Sequence, residues 1–165
     1  MAFDAFLKID GIPGESTDDA HPDWIEILSY ELCVSQKAAR SKSSGGGGGS
    51  GRADFEDFKI TKALDKASPK LFQKCADGTH IDNITIEICR SGGDKFKYME
   101  YKLTNSIITS WKPSADAEGD ESLPRETVTF NPGKLELIYT YQKRAGGGSG
   151  GNELAGWDLE KNVKV

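Results

Sequence analysis

Gly14-Glu15-Ser16-Thr17-Asp18-Asp19-Ala20-His21-Pro22-Asp23-Trp24-Ile25-Glu26-Ile27 is a polar, charged connection that joins a short amphipathic strand to a long one. Before it, Phe3, Ala5, Leu7 and Ile9 fall on one side of an extended segment and Asp4 and Lys8 on the other, the period of a half-buried strand. Asp10-Gly11 and Pro13-Gly14 break that segment. After the connection, a strand is predicted from Trp24 to Gln36. It starts with Ile25 and Ile27 on one parity and continues with Leu28, Tyr30, Leu32 and Val34 on the other. Such a change of phase predicts a β-bulge, or a strand covered on both faces along part of its length. Beyond the change, Ser29 and Glu31 mark the polar side.

Working outward, Gly45 to Gly49 and Gly51 predict a long loop from Lys37, because such a run cannot pack. Phe55, Phe58 and Ile60 then begin another extended segment leading to Ala63. Ser68-Pro69 reads as a helix start, with the serine oxygen free to cap early amides and proline tolerated at the first helical position. Leu71, Phe72 and Cys75 share a helical face, and Gly78 supplies a left-handed stop.

From Ile81 the pattern returns to strands, with Ile84, Ile86 and Ile88 alternating against Thr85, Glu87 and Cys89. Ser91-Gly92-Gly93-Asp94 makes a hairpin turn, and its partner strand runs from Phe96 to about Trp111. In that partner Met99, Tyr101, Leu103, Ile107 and Trp111 form one parity, while Phe96, Tyr98 and Ile108 add apolar groups on the other. Strands Glu126 to Phe130 and Leu135 to Tyr141 flank Asn131-Pro132-Gly133. A second glycine loop, Gly146 to Gly151, precedes a last short strand around Trp157 and Leu159.

Six or seven strands with one short helix predict a mainly β fold, a single closed or nearly closed antiparallel barrel, since an open sheet leaves sticky edges. Apolar residues on both parities of several strands ask for more burial than one monomer core provides, so self-association follows. A chain of 165 residues fits one domain, 1–165. Its 21 Lys plus Arg against 26 Asp plus Glu give a formal charge of −5, with no basic cluster to track a phosphate backbone, so nucleic acid is not an expected partner. Cys33, Cys75 and Cys89 sit in no CxxC motif and read as structural thiols of a reduced cytoplasm. Neither a signal peptide nor a bilayer-spanning run is read, so membrane insertion is not expected.

Sites of chemistry are sparse. Gly46 to Ala53, GGGGSGRA, has Arg52 and Ala53 where a phosphate-binding loop needs Lys and Ser or Thr. The acidic run Asp116, Glu118, Asp120, Glu121 has Glu121 where a calcium loop needs its turn glycine. His21 and His80 are isolated, and Cys75 with His80 offers two ligands without a second pair, so no metal or cofactor is expected. No nucleophile stands with a histidine and an acid in recognisable order, which argues against an enzyme.

Several blocks together resemble one family, the haemolysin-coregulated proteins (Hcp) of type VI secretion systems. They are MAFDAFLKIDGIPGEST, His21 with WIEILSYELCVSQ, a glycine run, FKITKALDKASPKLFQKC, ITIEICRSGGDKFKYMEYKLTNSIITS, PRETVTF and GWDLEKN. The resemblance spans nearly the whole chain. It implies homohexameric rings of barrels stacked into a hollow tube, driven out by a contracting sheath behind a spike, with small effector proteins carried in the lumen. It also implies export from the cytoplasm to the outside without a cleavable signal.

A tube subunit needs a wet face toward the lumen. Ser29 and Glu31 are the first candidates and Thr85 with Glu87 the second, against the plainer reading that they face outside solvent. The loop from Lys37 through Ser43, Gly45 and Gly49 to Arg52 is the candidate for contacts between rings or neighbouring subunits. A monomeric barrel that binds a small ligand is the alternative, and a hydrolase a weaker one.

Overall fold

The computed structural model describes residues 2–37, 51–93, 95–119, 123–146 and 148–165. Of the sequence expectations, the loop residues Ser43, Gly45 and Gly49, the turn residue Asp94 and the acidic residues Asp120 and Glu121 lie outside them.

Twelve strands and one helix form among the described residues. In chain order they are β1 Phe3–Ile9, β2 Ile25–Ile27, β3 Ser29–Glu31, β4 Val34–Ser35, β5 Asp54–Phe55, β6 Phe58–Ala63, α1 Ser68–Asp77, β7 Ile81–Arg90, β8 Lys97–Ser114, β9 Arg125–Asn131, β10 Lys134–Gln142, β11 Ser149–Asp158 and β12 Val163–Lys164. The main ladder runs β12-β11-β10-β8-β7-β1-β2, and from β8 a second branch passes through β9 and β6 to β3. Every pairing is antiparallel.

The long strand expected from Trp24 to Gln36 is instead three short ones, and its change of phase is a corner. Ile25 and Ile27 pair with β1, whereas Ser29 to Glu31 pair with β6. Leu28, the one residue between them, and Ser29 are successive exposed residues, and the Leu28 amide donates to Thr61 O at 2.7 Å. The wall of the barrel is therefore nearly closed. Hydrogen bonding leads from β1 through β7, β8, β9 and β6 to β3, and the chain itself returns to β2 at the Leu28 corner.

A comparable break lies in β8, which serves both halves of the wall. Tyr101 and Leu103 are buried before Asn105, and Ser106 and Ile108 after it, so one parity does not persist through Trp111 as the pattern suggested. Asn105 takes a left-handed conformation, φ 50°, and the register with β9 shifts between Ile108 and Ser110. That bend lets a single strand leave β7 and β10 and continue along β9.

The enclosed core is aliphatic and aromatic: Leu7, Ile25, Phe58, Ile60, Leu71, Ile84, Ile86, Ile88, Leu103, Val128 and Phe130 have almost no exposure. Burying each such side chain contributes about 1.5–3 kcal/mol. The helix closes one side through Leu71, while Phe72 stays largely exposed with its ring 5.3 Å from that of Trp111. Ser68 does not cap it. Its hydroxyl accepts the Asp65 amide (3.1 Å) and donates to Glu126 (2.6 Å), while Asp65 Oδ1 accepts the Ala67 amide (2.9 Å) in the turn before the helix. At the other end of the chain β11 begins at Ser149, earlier than the glycine loop suggested. Gly150 and Gly151 belong to the strand through the pairing of β11 with β10, and the Tyr141 side chain lies over them, so a Cβ on either would meet it at 2.6 Å.

Candidate functional site: a charged clamp and a polar wall

The connection between β1 and β2 is a compact loop. Gly14 donates to Asp23 O at 2.7 Å, Ser16 to Trp24 O at 3.0 Å and Asp23 to Ser16 O at 2.9 Å. A Cβ on Gly14 would meet Trp24 O at 2.3 Å, so only glycine permits this approach. Within the loop the His21 amide donates to Asp18 O, and the Asp18 amide to Ser16 Oγ at 3.2 Å.

That folding lays the His21 ring on the outer face of β1 and β7. It stacks on Phe6 with centroids 4.1 Å apart and meets Trp24 edge-on at 4.8 Å. Its Nδ1 is 2.8 Å from Asp18 Oδ1 and its Nε2 is 2.6 Å from Glu87 Oε2. Lys95 pairs with Asp18 and, at 3.6 Å, with Asp4. Lys97 bridges Glu87 at 3.3 Å and Glu100 at 2.8 Å. The result is a clamp of alternating charges that fastens the connection to the β7–β8 hairpin. Hydrogen bonds from Lys95 and then His21 hold the Asp18 carboxyl down at about 2, and burial, followed by the Glu87 charge, pushes the Cys89 thiol up to about 11. His21 is thus not isolated: its ring nitrogen, Glu87 and Cys89 form a group of ligand atoms within 4.8 Å of one another.

Ser29 and Glu31 stand on a different surface. In register across the sheet they face Thr61 and Lys59, which face Thr127 and Thr129 of β9, which in turn face Lys112 and Ser110 of β8. Every one of these positions carries a hydroxyl or a charge, while the alternate positions Phe58, Ile60, Val128 and Phe130 are buried. The Lys59–Glu31 pair, 3.8 Å apart and exposed at both ends, adds little stability but keeps the surface wet. Thr85 and Glu87 share a face of β7 on the other layer. Thr85 is half-buried, opposite Lys8 and Lys102, and Glu87 is engaged by His21 and Lys97. The structure therefore does not bring the two expected pairs together, and only Ser29 and Glu31 belong to an open polar wall.

At the root of the long loop, Val34 pairs with Phe55 and Ser35 with Asp54, and Gln36 Nε2 donates to Gly51 O at 2.6 Å. Arg52 donates to Leu159 O at 2.9 Å, tying the root to the C-terminal turn, and Lys37 is exposed.

A family model described as type VI secretion system effector, Hcp, matches residues 6–139. The chain belongs to the Hcp family. Protein hcp1 of Pseudomonas aeruginosa is 33% identical over 166 residues, covering 100% of both chains. The crystal structure of Hcp1 from Salmonella typhimurium superposes with a TM-score of 0.79 at 32% identity, covering 100% of each chain. A solved type six secretion system protein reaches 0.90 at 33% identity, over 99% of this chain and 100% of that one.

In this Hcp chain, features beyond the sequence expectations follow from long-range register. Glu87, which holds His21 Nε2, comes from β7, and Glu126, which pairs with Lys62, from β9, at separations no local pattern signals. The self-association expected from excess apolar surface has a physical counterpart: Leu154 is 72% exposed on β11, with Tyr139 and Tyr141 on β10 and Val163 and Val165 at the C-terminal strand also exposed. Among the described residues neither histidine is hydrogen-bonded to a serine or cysteine, the pairing that nucleophilic catalysis would use. No helix among them is long and apolar enough to cross a membrane.

Proposed function

We propose that this chain is a subunit of the inner tube of a type VI secretion system, with six copies closing into a ring and rings stacking around a continuous lumen. The observation that carries the reading is the family match, which takes in both layers of the barrel wall. Two surface features support it. The wall of Ser29, Glu31, Lys59, Thr61, Thr127 and Thr129 has the wetness a lumen lining needs, and the exposed apolar residues of β10 and β11 have the character of subunit contacts. On this reading Ser29 and Glu31 meet small effector proteins in the lumen. Lys37 and Arg52 flank a loop that reaches the next ring or neighbour, and the tube meets spike and sheath components at its ends and outside. The protein is made in the cytoplasm and leaves through the machine without a cleavable signal. Its work is geometric and interfacial, not chemical.

Native mass spectrometry with negative-stain imaging tests this. Six copies of a 17.9 kDa chain give about 107 kDa and an annular particle. A single 17.9 kDa species at high concentration would favour the ligand-binding monomer instead.

A further inference from the structure

We propose that His21, Glu87 and Cys89 form a binding site for a divalent cation of the zinc class, which staples the β1–β2 connection to β7. The three ligand atoms lie within 4.8 Å of one another, a spread that small side-chain rotations bring to the separations of a tetrahedral site. An imidazole nitrogen, a thiolate and a carboxylate are the mixed donor set that suits zinc and is poor for calcium or magnesium, which prefer oxygen. Three protein ligands leave a fourth position for water.

The surroundings are built as such a site requires. Asp18 Oδ1 sits 2.8 Å from His21 Nδ1, and Lys95 holds Asp18 in turn. A carboxylate on the far nitrogen fixes ring orientation and leaves Nε2 as the ligating atom, the usual arrangement behind a metal-bound histidine. Phe6 stacks on one face of the ring and Trp24 closes it edge-on, so the ligand cannot swing away. Glu87 and Cys89 alternate with Ile88 on β7, which puts both on the layer that His21 covers. The charged groups facing the cluster are Asp18 and Asp4 with Lys95, and Lys97, which spans Glu100 and, at 3.3 Å, Glu87 Oε1, so that Glu87 Oε2, the oxygen beside His21, is the one offered to the cation. A doubly charged cation with one thiolate and one carboxylate adds no net charge to this half-buried place. The proton of the Cys89 thiol and the one shared between His21 Nε2 and Glu87 Oε2, 2.6 Å apart, are displaced to solvent. Binding joins residues 66 positions apart, so the cation closes a long loop.

The test uses the full-length chain with Cys33→Ser and Cys75→Ser, so that Cys89 is its one thiol. Cobalt(II), added under reducing and oxygen-free conditions, is expected to bind one equivalent and to produce thiolate-to-cobalt charge-transfer absorption that zinc(II) abolishes. Zinc alone is expected to raise the melting temperature, and a chelator to reverse the rise. Adding Cys89→Ser should remove the absorption, and Glu87→Gln, which keeps the hydrogen-bonding shape, should weaken cobalt binding at least tenfold. Absence of the charge-transfer band at saturating cobalt overturns the proposal. So does a band of unchanged strength in Cys89→Ser, or unchanged affinity in Glu87→Gln should the serine variant fail to fold.

Discussion

Lys62 and Glu126 form an ion pair in which both side chains have 0% exposure, joining β6 to β9 beneath the first turn of α1. Lys62 Nζ also donates to Asp65 Oδ1 at 2.8 Å and Ala63 O at 2.9 Å, and Trp111 Nε1 donates to Glu126 Oε2 at 2.8 Å. With its polar atoms so well partnered, the pair fixes where the helix begins. Removing one partner strands a buried charge, so Lys62→Met alone should cost about 3–5 kcal/mol in urea unfolding. Lys62→Met with Glu126→Leu should recover much of that loss. A single variant within about 0.5 kcal/mol of the parent would mean the pair is not buried in solution.

Tyr101 gives the fold an alkaline limit. Burial, and then a hydrogen bond with Tyr30, raise its phenol well above the ordinary value of 10.0. Below that value the group is protonated in folded and unfolded chains alike, and its contribution is complete. Above it, only the unfolded chain gives up the proton, so stability falls as pH rises from about 10. Denaturant midpoints measured from pH 8 to pH 11 should drop along this limb, and less steeply in Tyr101→Phe. Identical slopes in both proteins would assign the loss elsewhere.

Why one feature was legible in the sequence and another was not depends on the range of the interaction that decides it. β1, β7, β9 and the Ser68 to Gly78 helix followed from period and punctuation, which are local. The Leu28 corner left a local trace as a change of phase, but the same trace fits a bulge, and only pairing with Thr61 distinguishes them. Asn105 gave less warning, because a polar residue in a strand does not by itself announce a left-handed backbone. Ser29 and Glu31 were readable as a polar side since their neighbours alternate. Phe6 stands on the same parity of β1 as Asp4 and Lys8, and the reason it is buried there, the stacked ring of His21, lies in another segment.

Leu154 tests the association surface. It is 72% exposed on β11, opposite Ile138, where a monomer gains nothing from a large apolar side chain. Leu154→Glu should leave the melting temperature within a few degrees of the parent and shift the particle from about six chains toward one in sizing experiments. Rings of unchanged size would remove this strand from the subunit contact.

Replacing Ser29 by Trp or Glu31 by Arg alters the open wall without touching the core, since both residues are exposed and their β6 partners Thr61 and Lys59 are also on that face. Rings should persist by electron microscopy while effector proteins no longer co-purify. Full retention of cargo by both variants would move the lumen lining to another face.

Deletion of Gly45 to Gly49 separates ring formation from ring stacking. The loop root is closed independently of these glycines by the Val34–Phe55 and Ser35–Asp54 pairs, and Arg52 anchors it to Leu159 O. A shorter loop pays less closure entropy, so the barrel itself should be as stable as before. If the loop contacts the next ring, soluble rings of six will form at the usual concentration, but stacked tubes will be scarce in sedimentation and negative stain. Tubes of normal length would place stacking on the barrel ends, and loss of the ring would assign the loop to the contact within it.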